Sequence, residues 1–320
     1  MSELANGRCL ITGASGFIGH ALMRRLAEQG REVRASTRHV PPGDGWVQVE
    51  MLGSATDWRS ALDGCDTLVH AAGRAHVLRE RDGDPLKLFR EANVEATRAL
   101  AEQACAQGVR RFVFLSSIGV NGNATSLEQP FTERDIPRPQ ADYARSKLEA
   151  EQLLSEVFRG TQTELVIIRP PLVYAAHAPG NFARLLGLVH KRLPLPFARV
   201  RNARSMVALD NLVDFLVCCL EHPAAANQTF LVADGQDFST GQLLTLLANG
   251  MGNASRSLPV PASWLAVGAS LCGLAGVHQQ LCGSLRVDIA KARTLLGWQP
   301  PVDASQALRD SARQWLENRC

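Results

Sequence analysis

Apolar and polar residues follow two different periods along the first half of this chain of 320 residues. Helical spacing of apolar residues marks Leu86–Gln107 and Asp142–Phe158, which therefore predict amphipathic helices. Short apolar runs around these segments are typical of buried strands. The runs are Cys9–Ile11, Glu32–Ser36, Val47–Val49, Thr67–His70, Arg111–Leu115 and Leu165–Ile168. This alternation predicts an α/β fold, a doubly wound parallel sheet with helices on both faces.

After Arg169 the rhythm changes, because prolines punctuate shorter elements and helical patterns become more frequent. Asp210, Ser239 and Asp303 each precede such a pattern, and their short polar side chains suit the N-cap position of a helix. We therefore expect the second half of the chain to be richer in helix than the first.

A glycine-rich turn connects the first predicted strand to the helical segment that follows it. Its glycines, Gly13, Gly16 and Gly19, have the spacing G-x-x-G-x-x-G. Glycine lets a turn close tightly and lets backbone N–H groups approach an anion, while the helix N-terminus adds a partial positive charge. The turn thus suits a dinucleotide pyrophosphate. Plain strand-to-helix turns also use glycine, so this alternative stays open.

Tyr143 and Lys147 lie four residues apart in the second predicted helix, so both side chains share one helix face. An ammonium group beside a phenol favours the phenolate, and we expect Lys147 to lower the pKa of Tyr143. The alternative is an exposed helix pair without chemical function. Ser116 and Ser117 follow the strand run Arg111–Leu115, at the carboxyl edge where a parallel sheet binds its ligands.

These motifs, in this order and spacing, resemble the extended short-chain dehydrogenase/reductase family of sugar-nucleotide epimerases, dehydratases and reductases. The resemblance extends to His70-Ala71-Ala72-Gly73 after the fourth strand, to Asn93 in the next helix, and to residues 169–174 after the sixth strand. It implies a Rossmann dinucleotide-binding domain over residues 1–169. It also implies a smaller, mostly helical substrate-binding lobe over residues 170–320, partly interleaved with the first domain, and an active cleft between the two.

The resemblance also implies which residues carry the chemistry. Ser117 and Tyr143 would bind the reacting oxygen as catalytic residues, and Lys147 would bind the nicotinamide ribose and hold the pKa of the tyrosine down. The positions that match cofactor contacts of the family are Gly13, Ser15, Gly16, Phe17, Ile18, Gly19, Arg38, Glu50, Met51, Ala71, Ala72, Gly73, Asn93, Ser116, Tyr143, Lys147, Pro170 and Leu172. The positions that match substrate contacts are Arg74, His76, Ser117, Asn181, Phe197, Arg204 and Arg286.

The end of the second strand bears on the choice of nicotinamide cofactor. In Rossmann domains an acidic residue there binds the ribose hydroxyls of NAD, whereas an arginine accommodates the 2′-phosphate of NADP. Here Thr37 fills the acidic position and Arg38 follows it. We therefore predict NADP, since the arginine fork suits phosphate and no carboxylate opposes it. NAD is the alternative, in which Arg38 is a solvated loop cation.

Several of the predicted substrate residues allow two interpretations. Asn181 and Arg286 match diphosphate contacts of the family but equally suit surface loops, and His76 equally suits a loop end. Two family residues are replaced: Leu172 stands where many epimerases carry asparagine, and Asn121 stands where they carry tyrosine. We therefore expect a changed grip on the pyrophosphate and on the sugar.

We interpret the pattern as an NADPH-dependent reductase of a 4-keto group on a UDP-linked N-acetyl-6-deoxyhexose, in bacterial surface polysaccharide biosynthesis. Hydride would come from the nicotinamide and the proton from Tyr143, with Ser117 hydrogen-bonded to the same oxygen. The alternative is a UDP-hexose 4-epimerase that retains NAD. A non-catalytic dinucleotide-binding sensor is disfavoured, because such a module has no need of a complete Ser-Tyr-Lys set.

Composition bears on several other classes of function. The net charge of +3, from 34 basic and 31 acidic residues, is too balanced to predict nucleic-acid binding. Eight cysteines without a C-x-x-C pair, and a first strand in place of a signal peptide, indicate a cytoplasmic protein. The histidines lack metal-ligand spacing, so no metal is expected. Basic pairs such as Arg24-Arg25 and Arg110-Arg111 are expected to be solvated.

Two features bear on partners. Leu86–Gln107 and Asp142–Phe158 match the helices that related enzymes use for a dimeric four-helix contact, so we expect a homodimer, although apolar faces there would also serve the monomer's own core. Ala262–Val277 holds sixteen residues without charge, fewer than the ~20 that a spanning helix needs. We expect a buried or partner-covered helix at residues 262–277, and the alternative is weak monotopic contact with a membrane.

Overall fold

The structure, a computed structural model, describes residues 7–38, 43–49, 53–74 and 84–319. The strands in these ranges are β1 (Arg8–Thr12), β2 (Val33–Thr37), β3 (Trp46–Gln48), β4 (Cys65–His70), β5 (Arg111–Leu115), β6 (Glu164–Arg169), β7 (Leu172–Tyr174), β8 (Arg204–Ala208), β9 (Gln228–Leu231) and β10 (Asp237–Phe238). The α-helices are α1 (Phe17–Glu28), α2 (Arg59–Leu62), α3 (Pro85–Arg90), α4 (Ala96–Ala106), α5 (Asp142–Val157), α6 (Asn181–His190), α7 (Leu209–Glu221), α8 (Thr240–Gly250), α9 (Ala262–Leu271), α10 (Ala275–Cys282), α11 (Ala290–Leu296) and α12 (Ala304–Glu317). A π-helical segment, Glu91–Glu95, joins α3 to α4.

Seven strands form a parallel sheet in the order β3-β2-β1-β4-β5-β6-β9. The strand order reverses between β1 and β4, and such a switch point opens a crevice at the carboxyl ends of the strands. The predicted doubly wound α/β fold is therefore confirmed, and the six predicted strand runs correspond to β1 through β6. Parallel strands buried on both faces are nearly continuous apolar runs, which is why the sequence pattern indicates them.

Apolar helix faces cover both sides of this sheet. On one side α1 and α7 bury residues such as Leu22 and Leu216. On the other side α4 and α5 bury residues such as Leu100 and Leu154. Each fully buried leucine contributes about 1.5–3 kcal/mol to the stability of the fold. The two helix layers therefore hold the strands in place, and with them the crevice at the carboxyl ends of the strands.

A smaller lobe is built on the three-stranded sheet β10-β8-β7, with α6, α8 and α12 around it. The chain returns to the first domain in between, because α7 packs on the large sheet and β9 pairs with β6. At the junction Tyr174 donates a hydrogen bond to Asp234 over 2.7 Å, and Asp234 accepts the Ala208 N–H over 2.9 Å. The part of the chain after residue 169 thus supplies the lobe and also completes the first domain.

Helix caps agree with the sequence at two of three positions. Ser239 and Asp303 each accept a backbone N–H from the first turn of α8 or α12, as predicted. The prediction for Asp210 is wrong, because Ala208 is the N-cap of α7 and Asp210 lies inside the first turn. There its carboxylate lies near the positive end of the helix dipole, which stabilises the helix without a cap bond.

Arg111 is fully buried, so the expectation that it is solvated is wrong. Its Nε donates to Glu164 over 2.7 Å, and its Nη1 donates to the carbonyls of Cys219 and His222, both over 2.9 Å. These carbonyls lie at the end of α7, where a helix leaves acceptors without partners inside the helix. The guanidinium of Arg111 therefore joins β5 to α7, whereas the neighbouring Arg110 is only half-buried.

The helices of the predicted dimer contact present polar outer faces. Their apolar residues pack against the large sheet, in the monomer's own core. The exposed positions on this side include Glu91, Glu95, Arg98, Glu102, Arg145, Gln152 and Glu156. The homodimer stays a prediction.

The uncharged segment at 262–277 lies in a helical hairpin, in which α9 and α10 are joined by a turn at Gly273. The expectation that this segment is buried in the chain is wrong, because Trp264 is 72% exposed and Leu271 is 83% exposed. Among the described residues, no helix combines the length and apolar character that crossing a membrane requires.

Candidate active site

The glycine turn after β1 is closed by backbone contacts that only glycine allows. Gly13 has a left-handed backbone with φ of +72°, and a Cβ on it would lie 2.7 Å from the Ala72 backbone nitrogen. A Cβ on Gly19 would collide with the Gly13 carbonyl oxygen. The turn therefore packs directly against the loop that follows β4, and larger residues would push the two apart.

The first turn of α1 offers a place for an anion. Gly16 is the N-cap, no side chain caps this end among the described residues, and the first turn holds no acidic residue. Ser15 and Gly16 are exposed at this end, while Phe17 and Ile18 are half-buried. The backbone N–H groups and the dipole of a 12-residue helix together attract phosphate. These residues fit the pyrophosphate of a nicotinamide dinucleotide.

A buried chain of hydrogen bonds runs from the glycine turn to the helix layer. The Ala72 N–H donates to Thr12 Oγ1 over 3.3 Å, and Thr12 Oγ1 lies 2.6 Å from His70 Nδ1. His70 Nε2 lies 2.9 Å from Thr97 Oγ1, which donates to the Asn93 carbonyl over 2.8 Å. Because Thr97 donates its own proton, His70 Nε2 carries the ring proton and Nδ1 accepts from Thr12. Burial lowers the pKa of His70 to about 3, so the ring is neutral.

Asn93 is buried inside the π-helical segment and ties the loop after β4 to helix α5. Its Oδ1 accepts the Arg74 N–H over 2.8 Å, and its Nδ2 donates to the Arg74 carbonyl over 3.1 Å. The same Nδ2 donates to Ser146 Oγ over 3.0 Å. A π-helical turn is an energetically unusual element that recurs at functional sites, and here it brings the Asn93 amide to this junction.

Lys147 lies buried on the inner face of α5, with its ammonium against the end of β5. Nζ donates to the Leu115 carbonyl over 2.9 Å and lies 4.5 Å from the centre of the Phe114 ring. A Cβ on Gly73 would lie 3.3 Å from Nζ, so the lysine also touches the loop after β4. Burial lowers the pKa of Lys147 to about 8, while the Glu151 carboxylate opposes this shift.

Tyr143 lies one turn earlier on α5, half-buried and edge-on to Phe89, with the ring centres 6.0 Å apart. Burial raises the pKa of Tyr143 to about 12. The prediction that Lys147 lowers this pKa is therefore wrong for the chain by itself. The physical reason is that the Lys147 ammonium is directed to the Leu115 carbonyl and the Phe114 ring, so it does not stabilise the phenolate.

Ser117 reaches the same crevice from the end of β5. Its Oγ accepts the Gly119 N–H over 3.1 Å, which leaves the hydroxyl proton to be donated elsewhere. A Cβ on Gly119 would lie 3.4 Å from Ser117 Oγ and 3.2 Å from the Ala144 Cβ, so the serine lies beside the first turn of α5. The structure thus brings Ser117, Tyr143 and Lys147 to one edge of the sheet, while their chemical roles stay predictions.

Ser116 belongs to a buried ion-pair cluster that the sequence analysis missed. Its hydroxyl donates to the Glu151 carboxylate, which also pairs with Arg169. Arg169 donates from Nε over 2.9 Å and from Nη2 over 2.5 Å to Glu151, and from Nη1 to Asn121 over 2.9 Å. The only sequence signal for Glu151 is its position four residues after Lys147 on one helix. The predicted cofactor contact of Ser116 would rest on its backbone, because its hydroxyl is engaged.

The predicted residues near the adenosine end of the cofactor are only partly described. Arg38 is exposed at the end of β2, directly after the buried Thr37. This position leaves the Arg38 guanidinium accessible to a phosphate. Glu50, Met51 and His76 lie outside the described residues.

The two replaced family residues have different surroundings. Leu172 is 40% exposed and presents an apolar group where an asparagine amide would be able to hydrogen-bond a pyrophosphate. Asn121 is buried, and its Nδ2 donates to the Thr132 carbonyl over 2.9 Å, so it holds a loop. The Pro170 carbonyl accepts the Ile118 N–H over 2.9 Å, which fixes the segment beside Ser117.

Arg204 and Arg286 lie on neighbouring backbone segments, because Arg204 forms a β-bridge with Leu285. Arg204 Nη1 donates to the Gly283 carbonyl over 3.0 Å, and burial lowers the pKa of Arg204. Arg286 Nε donates to Asp237 over 2.7 Å in an ion pair. This ion pair reduces the charge that Arg286 can offer to a diphosphate, so Arg204 is the better candidate of the two.

The remaining predicted substrate residues are spread over three segments. Asn181 is exposed at the start of α6, and Phe197 is half-buried in the lobe. Arg74 follows β4, where Asn93 holds its backbone. Across the described ranges, no three side chains of the metal-ligating types come together. The substrate contacts stay predictions.

Comparisons with known proteins agree with this fold. The sequence model of the NAD dependent epimerase/dehydratase family matches residues 9–233. A UDP-glucose 4-epimerase from Vibrio cholerae is 39% identical over 312 residues, which cover 96% of this chain and 95% of that enzyme. The structure of a UDP-N-acetylglucosamine 4-epimerase from Bacillus cereus gives a TM-score of 0.79 at 18% identity, over 97% of this chain and 99% of that one. A short-chain dehydrogenase/reductase superfamily protein from Agrobacterium tumefaciens with bound NAD gives 0.77 at 22% identity, over 98% of both chains.

Proposed function

The chain belongs to the NAD dependent epimerase/dehydratase family, and on that premise we propose that it is a UDP-hexose 4-epimerase that retains NAD. The observation that carries this proposal is the 39% identity to a UDP-glucose 4-epimerase over 96% of the chain. The alternative drawn from the sequence thus has more support than the 4-keto reductase preferred there. A part in surface polysaccharide biosynthesis stays a prediction.

The crevice supports epimerisation with one group that exchanges a proton and one that donates a hydrogen bond. NAD, when bound, supplies a hydride acceptor and donor for C4 of the sugar and a positive charge that favours the Tyr143 phenolate. Tyr143 would take the proton of the 4-hydroxyl and later return it. Ser117 would donate its free hydroxyl proton to the same oxygen and stabilise the charge that develops there. The reaction would invert the configuration at C4 of the sugar and consume no reductant.

Lys147 supports this chemistry as a buried cation. Its pKa of about 8 lies above neutrality, so most of the ammonium stays protonated at pH 7. Three N–H donors on one nitrogen suit the paired hydroxyls of a ribose, and the contact with Gly73 keeps the group at the crevice. Lys147 would therefore orient the nicotinamide ribose.

An NADPH-dependent 4-keto reductase is the second candidate, and the end of β2 favours it. Arg38 is exposed there, and Thr37 occupies the position where an acidic residue would bind NAD. A pKa of about 12 keeps the proton on Tyr143 at neutral pH, which suits a phenol that acts only as an acid.

Identification of the retained cofactor, followed by two assays, separates these candidates. The purified protein is denatured, the released nucleotide is identified by mass spectrometry, and UDP-glucose and UDP-N-acetylglucosamine are then tested for 4-epimers. Retained NAD, with an equilibrium mixture of epimers and no net cofactor oxidation, supports the epimerase. Freely exchanging NADPH that is oxidised by a UDP-4-keto-6-deoxyhexose, without epimers, contradicts it and supports the reductase.

Replacement of Arg38 sharpens the comparison. In the reductase, Arg38→Glu should weaken NADPH binding by tenfold or more, about 1.4 kcal/mol, because a carboxylate would oppose the 2′-phosphate. In the epimerase, the same variant should keep its NAD. Arg98→Glu, at an exposed arginine of α4, is the matched control for charge reversal.

A further inference from the structure

The hairpin of α9 and α10 is apolar and exposed at the same time. Surface helices of globular proteins normally keep a polar outer face, and helices that are apolar all round are normally buried. Here Trp264, Val267, Leu271, Leu274 and Val277 are each between 47% and 83% exposed. An exposed apolar area of this kind marks a site of contact with another apolar body.

The exposed apolar residues of the molecule are concentrated around this hairpin. Eight of the twelve large apolar side chains that are exposed in the described ranges belong to it or to the segments beside it. The eight are Leu188, Leu193, Leu258, Trp264, Val267, Leu271, Leu274 and Val277. Backbone hydrogen bonds join the segment after α6 to the segment before α9. The Leu195 N–H donates to the Arg256 carbonyl over 3.0 Å, and the Leu258 N–H donates to the Leu195 carbonyl over 2.7 Å. We call residues 184–201 and 253–282 together the hairpin surface.

The charges of the hairpin surface have one sign. Neither 165–209 nor 238–287 contains an aspartate or glutamate, and the whole hairpin surface lies within these two stretches. Its exposed basic residues are Arg184, Lys191, Arg192, Arg199, Arg201 and Arg256. The hairpin surface is thus cationic and apolar, although the net charge of the chain is only +3.

We propose that the hairpin surface docks the protein on an anionic phospholipid bilayer. Helices of ten and eight residues would lie in the plane of the interface, with their apolar side chains in the headgroup and acyl boundary. Trp264 suits this depth, because an indole ring is amphipathic. The surrounding arginines would bind lipid phosphates, since each basic residue near an anionic surface adds attraction. This docking goes beyond the epimerase reaction and does not depend on it.

Charge argues against a second copy of the chain as the occupant. A two-fold contact places the same patch on both sides, so the cations of one hairpin surface would face those of the other. Neither acid-free stretch offers a carboxylate to compensate them. An anionic bilayer supplies the opposite charge together with the apolar interior.

Co-sedimentation of the full chain with lipid vesicles tests the proposal. The two preparations are phosphatidylcholine alone and phosphatidylcholine mixed with phosphatidylglycerol. Binding to the mixed vesicles should exceed binding to the neutral ones by tenfold or more and should fall as salt is raised. On binding, the tryptophan emission should shift to shorter wavelength, and the shift should be lost in Trp264→Phe. Equal binding to both preparations, or binding to neither, would overturn the proposal.

A matched pair of variants assigns the binding to the hairpin surface. Leu271→Ser, at a residue that is 83% exposed, should lower binding to mixed vesicles at least several-fold, and Trp264→Ser with Leu271→Ser should lower it further. Ile136→Ser, at a residue that is 74% exposed outside the hairpin surface, should bind as the unchanged protein does. Arg256→Glu should lower binding several-fold, and Arg98→Glu should not. Unchanged binding of Leu271→Ser would contradict the assignment.

Sedimentation velocity tests whether a second copy of the chain, rather than a bilayer, covers the hairpin surface. A concentration-dependent dimer that Leu271→Ser abolishes, without vesicle binding, would assign the hairpin surface to a second copy and overturn the proposal. Sugar-nucleotide turnover in buffer is measured separately on the same variants. Absence of turnover in the unchanged protein would contradict the proposed function and not the docking, because vesicle binding requires no substrate.

Discussion

At the scale of single residues, burial shifts three groups around the crevice toward their neutral forms. The pKa of Tyr143 is raised to about 12, that of Lys147 is lowered to about 8, and that of His70 is lowered to about 3. Desolvation is the main cause in each case. Activation of the phenol in the proposed epimerase therefore depends on charge that arrives with bound ligands. The sequence motif brings Tyr143 and Lys147 to one helix face but does not determine where the lysine ammonium is directed.

Replacement of Tyr143 by phenylalanine should remove most turnover and leave the fold intact, because only the phenolic oxygen is lost. We expect kcat to fall by about 10²–10⁴-fold, the range for a general acid–base group. Tyr174 is the only other tyrosine and provides a matched control. Its hydroxyl bonds Asp234 in the lobe, so Tyr174→Phe should cost about 1 kcal/mol of stability and retain turnover. Steady-state kinetics and circular dichroism check both variants, and near-normal turnover of Tyr143→Phe would contradict the assignment.

Gly73→Ala tests whether Lys147 must be held against the loop after β4. The new methyl group would lie 3.2 Å from Asn93 Oδ1 and 3.3 Å from Lys147 Nζ, so the lysine tip has to move. A small displacement of a positioning group costs up to 10²-fold in rate, and we expect kcat to fall by about tenfold. Gly53→Ala, where a Cβ meets nothing within 4 Å, is the control that should keep its kcat. Equal rates for the two variants would show that Lys147 tolerates the shift.

The neutral His70 ring should make the protein sensitive to acid. Its pKa is about 3 in the fold and ~6.5 in an unfolded chain, so between these values the unfolded state binds more protons. This contribution to stability is complete above pH ~6.5 and is lost as the pH falls toward 3, at up to about 1.4 kcal/mol per pH unit. Long-range ¹H–¹⁵N NMR should show a proton on Nε2 at neutral pH. Titration of this ring near pH 6.5 would contradict the buried network.

At the scale of elements, the sequence predicts what local periodicity encodes. Strands β1, β4, β5 and β6 are buried along nearly their whole length and contain apolar runs, and the spacing of Gly13, Gly16 and Gly19 marks the glycine turn, so both can be recognised without a structure. The burial of Arg111 cannot, because the Cys219 carbonyl that it binds lies 108 residues later in the sequence. The hydrogen bond from Asn93 in the π-helical segment to Ser146 likewise joins residues that are 53 positions apart.

The residues of the candidate site likewise fall into two groups, those that the sequence indicates and those that only the structure shows. Ser117, Tyr143 and Lys147 occur in short motifs whose spacing reflects one strand end and one helix face. Glu151 and the partners of His70 are distributed over separate segments, and only the folded chain brings them together. Local spacing thus indicates the proposed reacting groups, while the groups around them are brought together only by tertiary contacts.

Adjacent arginines test the link between β5 and α7. Arg111→Met should lower the free energy of unfolding by about 3–5 kcal/mol, because it leaves the buried Cys219 carbonyl of α7 without its side-chain donor and removes the buried charge that pairs with Glu164. Arg110→Met removes a half-exposed arginine that also contacts Glu164, and it should cost about 1 kcal/mol or less. Urea unfolding of the two variants measures the difference. Similar losses would show that the α7 carbonyls find other donors.

At the scale of the whole molecule, the two halves of the chain share one sheet. β9 pairs with β6, and α7 covers the same face as α1. Residues Val166 and Ile168 of β6 lie in one apolar cluster with Leu212 and Phe230, which come from α7 and β9. The first domain is therefore incomplete at residue 169.

Truncation should reveal this dependence. A fragment of residues 1–169 keeps β5 beside β6 but removes β9 from its other edge and α7 from its face, so we expect aggregation or the absence of a cooperative thermal transition. A fragment of residues 1–233 restores β9 and α7 and should unfold cooperatively. Scanning calorimetry of the two fragments checks this. A transition of the shorter fragment at the same temperature as the longer one would contradict it.

The shared sheet also has a consequence during translation. β6 leaves the ribosome before β9 does, so the nascent chain carries an open strand edge from the emergence of Arg169 until the emergence of Leu231. At a synthesis rate of 5–20 residues per second, the stretch from Arg169 to Leu231 takes about 3–12 seconds. Throughout this interval the edge of β6 is able to pair with strands of other nascent chains on the same messenger RNA. Slow codons in this stretch would lengthen the exposure, and a chaperone acting on the nascent chain would have its greatest effect there.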